Sequence, residues 1–123
     1  MDINKLYKSV LDQDKAPIVI CDLQHTIVYM NSSAIEHYKK RGGAALVGTN
    51  LLNCHNESSQ KLINSVVGYF SSDEGNNIVH TYFNKSEYKD VYMIALRDED
   101  NHLIGYYEKH EYRNPDDSPL YDI

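Results

Sequence analysis

Val47-Gly48-Thr49-Asn50-Leu51-Leu52-Asn53-Cys54-His55-Asn56-Glu57-Ser58-Ser59-Gln60 is the junction on which the architecture turns. A glycine opens it, two leucines of buried type follow, and a thiol and an imidazole then stand side by side. Its end is a helix start. Asn56 or Ser58 can accept a hydrogen bond from a free backbone N–H, and Glu57 complements the positive end of the helix dipole. Downstream, Ser59, Leu62, Ile63, Val66, Val67 and Phe70 recur at helical spacing along one face, and Gly75 marks the exit. The junction therefore delivers the chain from a region of short elements into one long amphipathic helix.

On the upstream side, Ile3, Leu6, Tyr7, Val10 and Leu11 fall on one face of a helix of about three turns, which Pro17 ends by about residue 15. Pro17–Asp22 and Thr26–Met30 read as two strands joined by Leu23-Gln24-His25. Asn31-Ser32-Ser33 starts a short helix through Ala34, Ile35 and Tyr38, and Gly42-Gly43 breaks it. On the downstream side, about Asn77–Phe83, Asp90–Arg97 and His102–Tyr112 read as three strands with short polar connections, a meander. The simplest assembly is an α+β fold with one five-stranded antiparallel sheet and helices on one face. In the middle strand of the meander, Val91, Met93 and Ala95 alternate with Tyr92, Ile94 and Leu96, so both faces are apolar. The long helix covers one; the N-terminal helix or a second copy of the chain is expected on the other.

The chain has 123 residues, 41% of them hydrophobic, which suits one domain with one core. A net charge of −6 speaks against nucleic acid, whose binders concentrate Lys and Arg. Lys39-Lys40-Arg41, the only basic run, reads as a helix C-terminus closed by Gly42. No apolar run reaches the ~20 residues of a membrane span, and Met1-Asp2-Ile3-Asn4-Lys5 lacks the charged-then-apolar layout expected of a signal peptide. Cys21 and Cys54 are the only cysteines and form no metal or disulfide spacing, so reduced thiols and a cytoplasmic location are expected.

Across roughly residues 15–113 the chain resembles a PAS domain. Pro17-Ile18-Val19-Ile20-Cys21-Asp22 resembles the family's first strand with its closing aspartate, and Ile27-Val28-Tyr29-Met30-Asn31 the second strand with the asparagine that opens the next helix. Leu46-Val47-Gly48-Thr49-Asn50-Leu51 is similar to the approach to the long helix, and Leu96 to Gly105 to the hairpin between the last two strands. A narrower resemblance is to bacterial PAS domains that follow hemerythrin-like domains and carry Asp-Cys-His-Pro-Pro-x-Ser. Asn53-Cys54-His55-Asn56-Glu57-Ser58 departs from that motif by lacking both prolines. The resemblance divides the chain into an N-terminal amphipathic helix (1–14), a PAS-like domain (15–113) and a tail (114–123). It implies sensing, a small ligand between the long helix and the sheet, and homodimerisation through the N-terminal helix.

With the strand parity of the resemblance, Val19, Cys21, Tyr29, Val91, Met93 and Tyr107 are expected to face the helix, with Cys54 and His55 at the junction as further ligand contacts. His55 would be the axial ligand if haem were bound, with His80 on a strand beside the pocket. Flavin-binding light sensors of this fold carry a reactive cysteine and an arginine where this chain has Leu51 and Leu52, which disfavours covalent photochemistry. His25 and His102 are expected exposed in turns, and His110 at a solvated strand end. Cys54 and His55 make a poor catalytic couple, because adjacent residues diverge on a strand or a helix. No nucleophile elbow, phosphate loop or His-Glu-x-x-His pair occurs, so no enzymatic activity is expected. The expected function is that of a sensory, ligand-binding domain acting through a downstream signalling protein. A haem-based gas or redox sensor and a ligand-free dimerisation module are the alternatives.

Overall fold

The computed structural model describes every residue from Met1 to Ile123. Helix α1 (Ile3–Gln13) is capped by Asp2, which accepts from the Asn4 amide at 2.9 Å. Strands β1 (Ile18–Asp22) and β2 (Ile27–Met30) form the first hairpin. Its turn is held by Asp22 Oδ1, which accepts from the amides of Gln24 and Thr26. Asn31 caps α2 (Ser32–His37), and three 3-10 turns (Lys39–Arg41, Gly43–Leu46, Leu51–Cys54) carry the chain to the long helix. Gly42 and Gly43 take positive φ angles of 127° and 53°, which a side chain would strain. Asn56 caps α3 (Glu57–Ser72) through the Ser59 amide at 2.8 Å, so Asn56 rather than Ser58 is the helix start. β3 (Ile78–Asn84), β4 (Lys89–Arg97) and β5 (Leu103–Tyr112) complete the chain's regular structure.

The five strands form one antiparallel sheet in the order β2-β1-β5-β4-β3. The last strand thus lies at the centre, inserted beside the first. Directly paired residues share a face. Met30, Val19, Glu108, Met93 and Val79 form one row across all five strands, and Ile27, Cys21, Tyr106 and Ala95 lie beside it. This inner face packs with Ala34 and Phe70 into the buried core. Tyr29, Ile20, Tyr107, Ile94 and Ile78 form a row on the opposite, outer face.

The outer face is less covered than its apolar character predicts. Ile94, Tyr92 and Tyr107 are half-buried and Ile78 is exposed. Helix α1 does not lie over this face with its apolar side. Ile3, Leu6, Tyr7 and Val10 are all exposed, and no residue of α1 is fully buried. The helix touches the sheet edge at its C-terminal end, where the Tyr29 hydroxyl donates to Asp12. The tail from Arg113 onward is irregular. Leu120, Tyr121 and Ile123 do not dock, while Arg113 turns back to grip Asp90 with two bonds of 2.7 Å and lies 4.0 Å from the Phe83 ring. No helix is long and apolar enough to cross a membrane.

Candidate functional site

Between the inner face of the sheet, α3 and the 3-10 turns lies a cavity of about 150 Å³. β1 contributes Val19 and Cys21, β2 Ile27 and Met30, and β4 Met93. The connecting segment contributes Tyr38, Arg41, Leu46, Leu51, Cys54 and His55, α3 contributes Ile63, and β5 contributes Tyr106 and Glu108. A more open groove of about 390 Å³ adjoins it, bordered by His37, Leu62, Val66, Tyr82, Lys89, Val91 and His110 among others. Tyr38, His55, Ile63, Met93 and Glu108 line both spaces and form the wall between them.

Glu108 is the ionisable centre of that wall. Its Oε1 accepts from the Tyr38 hydroxyl at 2.9 Å and from His110 Nε2 at 2.7 Å. About a third of the side chain (34%) remains accessible, on a strand at the middle of the sheet, where the residue lines both spaces. Burial opposes its ionisation, but the hydrogen bonds and charge of His110 and the Tyr38 hydroxyl outweigh it and hold the carboxyl below its ordinary range. Burial pushes the Tyr38 phenol upward, and the Glu108 charge adds to the effect. At the other end, burial pushes the Cys21 thiol up to about 11, which makes it an inert wall rather than a nucleophile. The Tyr106 hydroxyl lies 2.7 Å from His25 Nδ1, and His25 Nε2 reaches Asn64 on α3 at 3.1 Å, tying the first hairpin to the long helix.

At the junction, the His55 imidazole closes the last 3-10 turn. Nδ1 lies 2.8 Å from the Leu51 carbonyl, which can only accept, so this nitrogen carries a proton. Gln60 reaches back from α3 to the carbonyls of Leu52 and His55, both at 2.9 Å, and fixes the turn against the helix. Cys54 is exposed at the cavity's edge, whereas Cys21 is buried.

Of the eight residues expected at the site, Val19, Cys21, Met93, Cys54 and His55 line the cavity and Val91 lines the groove. Tyr29 and Tyr107 do neither. Both pair with Ile20, and a register shift after Ile20 puts Tyr29 on the outer face while Ile27 pairs with Cys21 on the inner one. His80 also faces outward, 2.9 Å from Asp90 and with its ring centroid 5.0 Å from that of Tyr92. His110 is buried rather than solvated, and His25 is half-buried rather than exposed in its turn. Glu108, Tyr38 and Arg41 escaped the sequence reading. The available signal was the parity of β5: Tyr106, Glu108 and His110 stand two apart and must share a face.

A haem or flavin exceeds this cavity taken without the adjoining groove of about 390 Å³. His55 Nε2 has the right chemistry for an axial ligand, but the space is about that of the ~150 Å³ apolar cavity that admits benzene. Pockets for drug-sized ligands run to ~300–1,000 Å³, and a porphyrin or a tricyclic flavin ring needs room of that order.

No known protein-family model matches the chain, and neither does any curated protein. Solved structures do. The C-terminal domain of a protein from Streptococcus mutans superposes with a TM-score of 0.73 at 16% identity, covering 91% of this chain and 85% of that one. A PAS domain from Colwellia psychrerythraea gives 0.66 at 18%, covering 90% and 97%. The Aer2 receptor of Vibrio cholerae, described as a dual PAS-heme oxygen sensor, gives 0.56 at 18%, covering 77% and 91%. The chain has the PAS fold: a five-stranded antiparallel sheet with its helices and connecting turns on the inner face and an additional helix at the N-terminus.

Proposed function

We propose that this chain is a sensory domain that takes a small molecule into the cavity between α3 and the sheet and passes the signal to a protein partner. The observation that carries the reading is the part-open, mainly apolar cavity beside the buried core, with a carboxylate on its wall. Such a site, with few polar groups among apolar ones, is the usual form of a small-molecule pocket. The likeness to a PAS-fold oxygen sensor supports sensing as the role. On this reading the chemistry of the site is recognition rather than catalysis.

Residues 1–14 are read as the dimerisation helix, 15–113 as the sensing domain and 114–123 as a tail, in a cytoplasmic protein. The free apolar side of α1, with Leu6 43% and Val10 70% exposed, is the surface by which two copies pair. A native mass spectrum and absorbance spectrum of the freshly purified protein test these points together. A dimer carrying a species of low mass, without a Soret or flavin band, is the expected result. A dimer with no bound species, and no protection of Cys54 from alkylation by any added small molecule, would replace the reading with a ligand-free dimerisation module.

A further inference from the structure

The two oxygens of Glu108 are not equivalent. Oε1 is fully engaged by Tyr38 and His110. Oε2 makes no hydrogen bond to the protein, and it is absent from the buried, unpartnered side-chain atoms, which are Lys89 Nζ and His110 Nδ1 alone. It is therefore both free and accessible, on a residue that lines the cavity. Of the other polar groups near the cavity, His55 Nδ1 is taken by the Leu51 carbonyl and the Tyr106 hydroxyl by the His25 ring. Aliphatic and thioether side chains, among them Val19, Met30, Ile63 and Met93, make up much of the remaining lining.

The charge around Glu108 decides what kind of donor Oε2 can accept from. His110 already touches the carboxylate, and the Arg41 guanidinium stands on the same lining. The carboxylate already holds His110, and a further cation would share the cavity with the Arg41 guanidinium. An incoming anion would meet a carboxylate fixed in place, at low effective dielectric where like charges repel strongly. Resting on the reading of this cavity as a ligand site, we propose that its ligand is a neutral, single-ring-sized molecule with a hydroxyl or N–H group, and that Glu108 Oε2 is the specificity-determining acceptor for that group. Size comes from the cavity of about 150 Å³, and polarity from the free Oε2 of Glu108. A site whose buried acceptor is left unpaired by an analogue lacking the donor discriminates strongly against that analogue.

Phenol, toluene and benzoate are near in size and differ in the group offered to Oε2. Binding of each to the full chain is measured by NMR titration of the amides around Cys21, Ile63 and Glu108. Phenol is expected to bind about tenfold or more tightly than toluene, the gain ordinarily given by a hydrogen bond to a charged group, and benzoate more weakly than either. In Glu108→Gln the phenol preference falls to about threefold or less and benzoate recovers, because the amide can donate. Equal binding of phenol and toluene, or tightest binding of benzoate, would overturn the donor inference while leaving the cavity a ligand site. Failure of all three to move the cavity resonances would remove the ligand-site reading and this inference with it. The wild-type series decides the matter by itself should the Glu108→Gln protein not fold.

Discussion

Replacing Asn31 by alanine should cost far more than replacing the other asparagine cap, Asn56. Both residues cap helices, and both were legible as caps. Asn56 is exposed and accepts one hydrogen bond, from Ser59. Asn31 is fully buried and uses both ends of its amide. Its Oδ1 accepts from the amides of Ile18 and Ala34, and its Nδ2 donates to the carbonyls of Leu11 and Ala16, each at 2.9 Å. One side chain so joins the end of α1, the linker, β1 and the start of α2. A net worth of about 1 kcal/mol per hydrogen bond gives ~4 kcal/mol for Asn31→Ala, against ~1 kcal/mol for Asn56→Ala as an ordinary N-cap loss. With total stabilities of about 5–15 kcal/mol, the first variant should be marginal and the second close to wild type. Urea denaturation followed by circular dichroism at neutral pH measures both. Equal costs for the two substitutions, with unchanged denaturant slopes, would refute the claim that Asn31 acts as a four-way tie rather than a cap.

Other consequences can be checked as directly. Arg97 donates to the carbonyls of Phe70, Asp73 and Asn76 at the end of α3 and to the Asn77 side chain, so Arg97→Lys should lose about 2 kcal/mol in chemical denaturation despite keeping its charge. A Cβ at Gly105 would stand 2.4 Å from the Cys21 carbonyl oxygen, so Gly105→Ala should cost about 1–3 kcal/mol by forcing β1 and β5 apart, read as a lower thermal midpoint. Glu108 is held below its ordinary value when folded, so its stabilisation is present above the unfolded carboxylate range near ~4.3 and lost as pH falls through its folded value. Thermal midpoints between pH 3 and 7 should therefore drop more steeply on the acid side for wild type than for Glu108→Gln. Of the two thiols, Cys54 should react with a disulfide reagent in the native protein and Cys21 only after unfolding.

The elements were readable because their causes are local. The spacing of Leu62, Ile63, Val66 and Phe70 marks a helix wherever it ends up, and Asn31, Asn56 and Asp22 mark caps and a turn by what their side chains offer to adjacent backbone. The N-terminal helix, the hairpin and the meander followed from the same kind of pattern, as did their assembly into one antiparallel sheet with helices.

The site divided along a different line. Val19 and Cys21 face inward by the regular alternation of β1, while Tyr29 faces outward because of a register shift in β2 that no local residue pattern announces. Glu108-Lys109-His110-Glu111 looks by composition like a solvated strand end. It is the pairing of β5 with β1 on one side and β4 on the other that carries Glu108 and His110 under the helices. The sequence by itself determined the elements, their order and the caps that bound them, since those depend on neighbours within a few residues. Only the tertiary structure decided which face of each strand is inner, and so which carboxylate looks into the cavity. A strand's two faces are interchangeable until distant strands pair with it, and a one-residue shift reverses them.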